Sequence, residues 1–343
     1  LESSSSRPVL QVRGLRTHFF TDEGVAPAVD GIDFEILPGR TLGLVGESGC
    51  GKSVTSLSIM RLVAPPGRIV SGEALLNGED LLRLSEREMR ARRGERIAMI
   101  FQEPMTSLDP LYPVSDPLSE ALRAHGRTDR RGARAEAVRL LEAVGITDAP
   151  RRIKSYPHEL SGGMRQRVMI ATAIACKPDV LIADEPTTAL DVTVQAQILQ
   201  LLRQLQAETG MAILLITHNL GIVAENCNDV AVMYAGKIVE RAPVRALFRN
   251  PRHPYTQGLL RAVPRLDHPS KQPLATIPGI VPNLLNLPGG CHFRARCPWA
   301  IAKCATEEPP LMPVAADHTA ACWVMPEPDA QPQAVRQAAG GGR

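Results

Sequence analysis

Short apolar runs rich in Val, Ile and Leu alternate with amphipathic stretches along most of the chain, which predicts an α/β fold with helices crossing over a sheet. Val9–Arg13 and Ile32–Ile36 read as early strands. Pro38 and Gly39 then turn the chain into a strand at Thr41–Val45, and a helix follows from Lys52. Asn77-Gly78 sits between apolar runs and predicts a hairpin turn. Ile97–Phe101 is another strand. From about Pro110 to Ser161 the pattern is helical, with Val138, Leu141 and Val144 on one face of a helix over Ala135–Val144 and Gly145 as its stop. Strand periodicity returns at Val180–Ala183. A long helix, Val192–Glu208, has Asp191 as N-cap and Gly210 just past its end. Strand Ala212–Thr217 and a hairpin over Val230–Glu240 complete the sheet.

Beyond Pro243 the pattern changes. Pro, Arg and Cys become frequent, strands thin out, and Pro326–Arg343 has the composition of a disordered tail. The Ser-rich start, Leu1–Ser6, lacks a charged-then-apolar leader and reads as a disordered remnant covering 1–7. The expected organisation is a nucleotide-binding unit over 8–243 with a helical insertion at about 110–165. A small Cys-rich domain over 244–325 and a tail over 326–343 follow.

Composition narrows the function classes. Aromatic residues are only 3% of the chain, which argues against a stacking platform for single-stranded nucleic acid, and a net charge of +3 is too small to demand a nucleic-acid partner. The basic clusters Arg87–Arg96 and Arg123–Arg139 read as solvated helical faces. No apolar run reaches the ~18 residues a membrane span needs, so the expectation is a cytosolic protein unless a partner holds it at a membrane.

Gly46-Glu47-Ser48-Gly49-Cys50-Gly51-Lys52-Ser53 lies between a strand and a helix, the context that a phosphate-binding loop requires. Gly46, Gly49 and Gly51 let the backbone curl so that its N–H groups face phosphate oxygens, and the helix N-terminus adds a favourable dipole. Lys52 is placed for the β- and γ-phosphates of ATP and Ser53 for Mg²⁺. Cys50 reads as a small filler. Val180–Glu185 is an apolar strand that ends in two carboxylates, which emerge at the C-terminal edge of the sheet beside that loop. Asp184 is the expected partner of Mg²⁺, and Glu185 the group that polarises the attacking water.

Leu160-Ser161-Gly162-Gly163-Met164-Arg165-Gln166 resembles the signature sequence of the ABC family. That resemblance implies an ABC-type P-loop domain: a RecA-like core, an antiparallel β subdomain and a helical signature subdomain. Gln102 matches the family's Q-loop, with roles in catalysis and Mg²⁺ binding. Ala189-Leu190-Asp191 matches its D-loop and His218 its switch histidine. Ser161, Gly162, Gly163, Gln166 and Asp191 join the nucleotide-contacting set, and the resemblance implies that Ser161 and Gly163 serve ATP bound to a neighbouring subunit. Phe19 is the candidate for stacking on adenine, although core packing explains Phe19 or the adjacent Phe20 equally well. Asn219 and Glu103 stand where the family usually has Asp.

Phe101–Pro110, Tyr156–Leu160 and Arg252–Thr256 are similar to segments of the ATPase subunits of dipeptide and oligopeptide importers. This implies a second, homologous ATPase subunit as heterodimer partner, two membrane permeases contacted after Gln102, a peptide-binding protein, and a peripheral place on the cytoplasmic face of the membrane. Four thiols in a short Pro-rich segment suggest a metal staple, with spacing that does not by itself choose between zinc and an iron–sulfur cluster. In this family Cys291, Cys297, Cys304 and Cys322 resemble [4Fe-4S] ligands. Cys176 and Cys227 read as buried small residues. Soluble ABC ATPases of ribosome recycling or DNA repair are the alternative class, but they typically carry two cassettes or long insertions. An ABC exporter ATPase is the other, and the cysteine tail argues against it.

Overall fold

A computed structural model of the chain describes residues 7–102, 108–129, 132–263, 276–328 and 330. Its first layer is an antiparallel sheet of β1 (Leu10–Thr21), β2 (Gly24–Ile36), β4 (Gly67–Leu76) and β5 (Glu79–Asp80), in the order β2-β1-β4-β5. β1 and β2 run well beyond the short apolar segments that predict them, because their outer halves pair with each other past a register shift. Asn77 and Gly78 both take positive φ, 50° and 88°, and join β4 to β5 as the expected two-residue turn.

The second layer is an eight-stranded sheet. β3 (Thr41–Val45) lies between β8 (Ala212–Thr217) and β9 (Asp229–Tyr234), and β7 (Val180–Asp184) and β6 (Ile97–Ile100) continue the parallel set beyond β8. β3, β7 and β8 are buried at every position, as a parallel sheet covered on both faces requires. One face packs on helix Lys52–Ile59 and the antiparallel sheet, through Leu10, Phe34, Leu44 and Ile59. The other packs on helices Gly162–Ile174 and Val192–Thr209 and on the helical insertion, through Val168, Ile170, Leu181 and Ile198.

The insertion holds helices Ser115–Ala124, Gly132–Ala143 and Ala149–Arg152. Gly132–Ala143 starts three residues before its apolar face predicts, and Gly145 follows in the left-handed conformation. Helix Val192–Thr209 begins as expected: Asp191 Oδ1 accepts from the Val194 N–H at 3.0 Å.

The segment 244–325 departs from expectation, since it is joined to the main sheet. β10 (Lys237–Pro243) turns back antiparallel to β9, β12 (His318–Ala320) pairs with β10 through Glu240–Ala320 and Arg241–Thr319, and β11 (Met312–Ala315) adds the edge. The segment is too poor in apolar residues for a core of its own, and it shares one: Tyr255 and Phe293 pack on Tyr234 of β9, with ring centroids 4.7 and 5.2 Å away. Pro326, Glu327 and Pro328, expected to be disordered, are held in place. Gln257 donates to the Pro326 carbonyl at 2.8 Å, Arg261 to that of Pro328 at 2.8 Å, and Glu327 pairs with Arg252 at 2.6 Å. Residues 329 and 331–343 of the tail, residues 1–6 and Glu103 lie outside the described residues. Among those described, no helix is long and apolar enough to cross a membrane.

Candidate nucleotide site

Helix Lys52–Ile59 starts at Gly51, in the left-handed region at φ 107°, with no side chain capping its first turn. A Cβ on Gly51 would stand 2.1 Å from the Ala28 carbonyl oxygen, so only glycine lets β2 approach the loop this closely. The uncapped first turn and the curled loop offer N–H groups to an anion. Lys52 is buried, and its Nζ donates to the carbonyls of Gly46 at 2.9 Å and Glu47 at 3.0 Å. Cys50 is buried beneath the loop, and burial pushes its thiol up, which agrees with a filler rather than a nucleophile.

Ser53 Oγ donates to Asp184 Oδ1 at 3.1 Å, across from β7. Burial raises the Asp184 carboxyl, the Ser53 hydrogen bond opposes this, and the adjacent Glu185 charge adds to the rise. These hard oxygen donors suit Mg²⁺. Glu185 follows β7 with φ 45°, sparsely populated for a residue with a Cβ, and this carries its carboxylate out of the line of the strand. Gln102 Nε2 donates to it at 3.2 Å, Thr188 Oγ1 at 2.9 Å, and His218 Nδ1 lies 3.2 Å away. Burial pulls the carboxyl up, but the hydrogen bonds of His218 and Thr188 outweigh it, and Glu185 ends below its ordinary range.

A cavity of about 340 Å³ joins these groups, lined by Phe19, Ser48, Lys52, Gln102, Glu185 and Leu284 among others. Phe19 thus borders the site, whereas Phe20 turns outward beneath the Arg68 guanidinium. The signature residues stand apart from this cavity. Ser161 caps helix Gly162–Ile174, its Oγ accepting from the Met164 N–H at 3.3 Å. Gly163 faces Val194, whose Cγ1 would be 2.8 Å from a Cβ there, so a side chain would push the signature helix off helix Val192–Thr209. Gln166 is buried, with an Nε2 that finds no partner among the described residues. Asn219 caps helix Leu220–Asn226, accepting from the Gly221 N–H at 2.9 Å.

Three groups escape the motif reading. Arg296 forks onto the Glu47 carboxylate at 2.7 and 3.0 Å, the Tyr255 hydroxyl accepts from the Glu47 N–H at 2.8 Å, and Leu284 walls the cavity. Arg296 and Glu47 are 249 positions apart, so no local signal joins them.

None of the seven cysteines is joined in a disulfide. Burial drives those of Cys291, Cys297 and Cys322 up, Cys297 to about 12, and neighbouring cysteines of the set of four push the same way. Cys291 is tied to Cys304 by its N–H, which donates to the Cys304 carbonyl at 2.9 Å. Among the described residues no three His, Cys, Asp or Glu side chains are grouped to hold a metal ion. The geometry alone therefore assigns the cysteines neither zinc nor an iron–sulfur cluster.

The curled loop, the paired acids at the end of β7 and the parallel sheet define a P-loop nucleotide-binding protein. The ABC transporter family model matches residues 29–188, and that of the oligopeptide/dipeptide transporter C-terminal region matches 239–304. A peptide import ATP-binding protein of Brucella melitensis is 54% identical, over 93% of this chain and 97% of its own. The dipeptide transport ATP-binding protein DppD of Escherichia coli K12 is 49% identical, over 92% and 96%. The solved dimer of the cassette MJ0796 bound to ADP and Pi aligns with a TM-score of 0.62 at 25% identity, over 69% of this chain and 99% of that one. The chain belongs to the ABC transporter family, as one of its ATP-hydrolysing subunits with the oligopeptide/dipeptide type of C-terminal region.

Proposed function

We propose that this chain hydrolyses ATP at an interface between two ABC subunits and thereby drives uptake of dipeptides or oligopeptides through two membrane permeases. The observation that carries the reading is the convergence of Lys52, Ser53 and a hydrogen-bonded Glu185 on one cavity, with Asp184 bound to Ser53 behind its wall. Lys52 and the loop N–H groups of residues 46–51 hold the phosphates, and Phe19 borders the base. Ser53, Asp184 and Gln102 hold Mg²⁺, which would screen the phosphate charge. Glu185, ionised and oriented by Gln102, Thr188 and His218, accepts the proton of the attacking water.

Ser161 and Gly163 lie away from this chain's own cavity, which supports their serving ATP on a neighbour. Gly162 and Gln166 belong to the same signature helix, and Asp191 begins the helix that Gly163 faces. The neighbour is a homologous ATPase in a heterodimer, and the assembly sits peripherally on the cytoplasmic face of the membrane beneath its permeases. The names of the relatives support a peptide as cargo. For Cys291, Cys297, Cys304 and Cys322, family resemblance rather than geometry supports a [4Fe-4S] cluster, whose chemistry would be structural or redox-sensing.

One purification tests the whole reading. Isolated anaerobically with its native partners, the complex should contain two permeases, absorb visible light that dithionite bleaches, and hydrolyse ATP faster with peptide-loaded binding protein. Ribosomes or DNA in place of permeases would point to the soluble ABC ATPases. A colourless preparation would remove the cluster alone.

A further inference from the structure

Glu47 places a carboxylate on the loop that receives a polyanion. Left uncompensated, this charge would oppose nucleotide binding. Arg296, on the C-terminal segment, supplies the compensation. Its side chain is 4% exposed and meets the Glu47 carboxylate with both terminal nitrogens, at 2.7 and 3.0 Å. Two further donors are used on the carbonyls of Pro278 at 3.0 Å and Ile277 at 3.3 Å. The guanidinium also lies over the rings of Tyr234 and Phe293, 5.8 and 6.0 Å from their centroids. A planar fork held by four hydrogen bonds has little freedom to turn, and it fixes the carboxylate it grips. The Tyr255 hydroxyl holds the same residue by its backbone N–H at 2.8 Å. The phosphate loop is thus anchored from outside the nucleotide-binding unit, at side chain and main chain together.

We infer that Arg296 is a positioning residue for the phosphate loop, which neutralises and fixes Glu47 so that the loop accepts a nucleotide triphosphate. This rests on the reading of the cavity as an ATP site. It makes nucleotide affinity, rather than the chemical step, depend on the C-terminal segment being docked. An acid and a base at these positions, instead of two neutral residues, give the docking a single register.

The test is a four-way comparison of the full chain: wild type, Arg296→Met, Glu47→Gln and the double variant. ATPase kinetics and titration with a fluorescent ATP analogue supply the readouts. Arg296→Met should raise KM and the analogue's Kd roughly 10-fold while leaving kcat within about 2-fold, since it leaves a negative charge uncompensated on the phosphate loop without touching Glu185. Glu47→Gln on top of it should recover most of the affinity, because the repelling charge is gone. A loss that Glu47→Gln does not rescue would mean that Arg296 supports the fold only, and an unchanged KM would equally overturn the proposal. Should Arg296→Met fail to fold, Arg296→Lys keeps the charge without the fork, and its KM should rise about 3-fold. An unchanged KM for that variant rejects the proposal as well. Wild-type protein that binds no ATP analogue would overturn the reading of the cavity, and this inference with it.

Discussion

Glu185 and His218 meet at 3.2 Å at the open end of the parallel strands, with the imidazole 64% exposed. Glu240 and His318 meet at 2.8 Å inside the sheet, at 0% and 2% exposure. The same two side-chain types form both pairs, and their surroundings divide them. Glu185 also accepts from Gln102, at the edge of a cavity, and from the exposed Thr188, so its ring of donors can rearrange when a ligand enters. Glu240 also accepts from the N–H groups of Arg252 at 2.7 Å and His253 at 2.9 Å, in a place that no ligand reaches. A carboxylate satisfied by exposed side chains can do chemistry, and one satisfied by buried backbone holds elements together. Here Glu240 ties β10 to β12 and to the start of helix Pro254–Arg261.

The largest effect is expected at the buried pair. Glu240→Ala leaves His318 and two N–H groups without an acceptor and should cost about 4 kcal/mol of stability, read as a fall in the denaturant midpoint. Turnover per folded molecule should hardly change. A collapse of kcat in correctly folded protein would erase the contrast drawn between the two pairs.

Next comes a pH effect in the same buried region. His253 is pushed down to about 4 by burial, against the smaller opposing pull of Glu240. The folded state thus binds this proton less readily than the unfolded chain, so the contribution is complete above about pH 6.5 and is lost as pH falls towards 4. At ~1.4 kcal/mol per unit the loss is about 3 kcal/mol. His253→Asn, which can still cap the helix, should flatten the melting temperature across that window. A wild-type profile that is already flat there would contradict the buried neutral imidazole.

The smallest of the three is catalytic. Glu185→Gln should slow hydrolysis about 100-fold while leaving ATP affinity and melting temperature near those of wild type. ATP-dependent dimers should accumulate on gel filtration. Near-normal turnover would take Glu185 out of its role, and marked unfolding would show that the exposed pair is structural after all.

What could be read from the sequence follows the same division. Lys52, Asp184 and Glu185 are legible because phosphate chemistry demands specific residue types at fixed short spacings, set between a strand and a helix. Asp191 and Gly210 are legible because helix ends have their own local chemistry. β11 and β12 are not: with four and three residues, one of them carrying Pro313, they are too short for a period-two pattern to register. The grips of Arg296 and Tyr255 on Glu47 are equally silent, since they join residues more than 200 positions apart. The cysteines are easy to count, but their number gives no sign that the segment shares its core with the main sheet. The ring cluster of Tyr234, Tyr255 and Phe293 is where that shared core lies.

β12 also imposes an order in time. β10 and its carboxylate Glu240 leave the ribosome early, and His318 follows 78 positions later. At ~5–20 residues per second that interval lasts about 4 to 16 s, during which the edge of the sheet is bare and its buried acid lacks a partner. Chains cut short before His318 would keep that open edge permanently, a template for pairing with other chains. β11 and β12 therefore act as a seal that can be applied only once the chain has been made as far as His318.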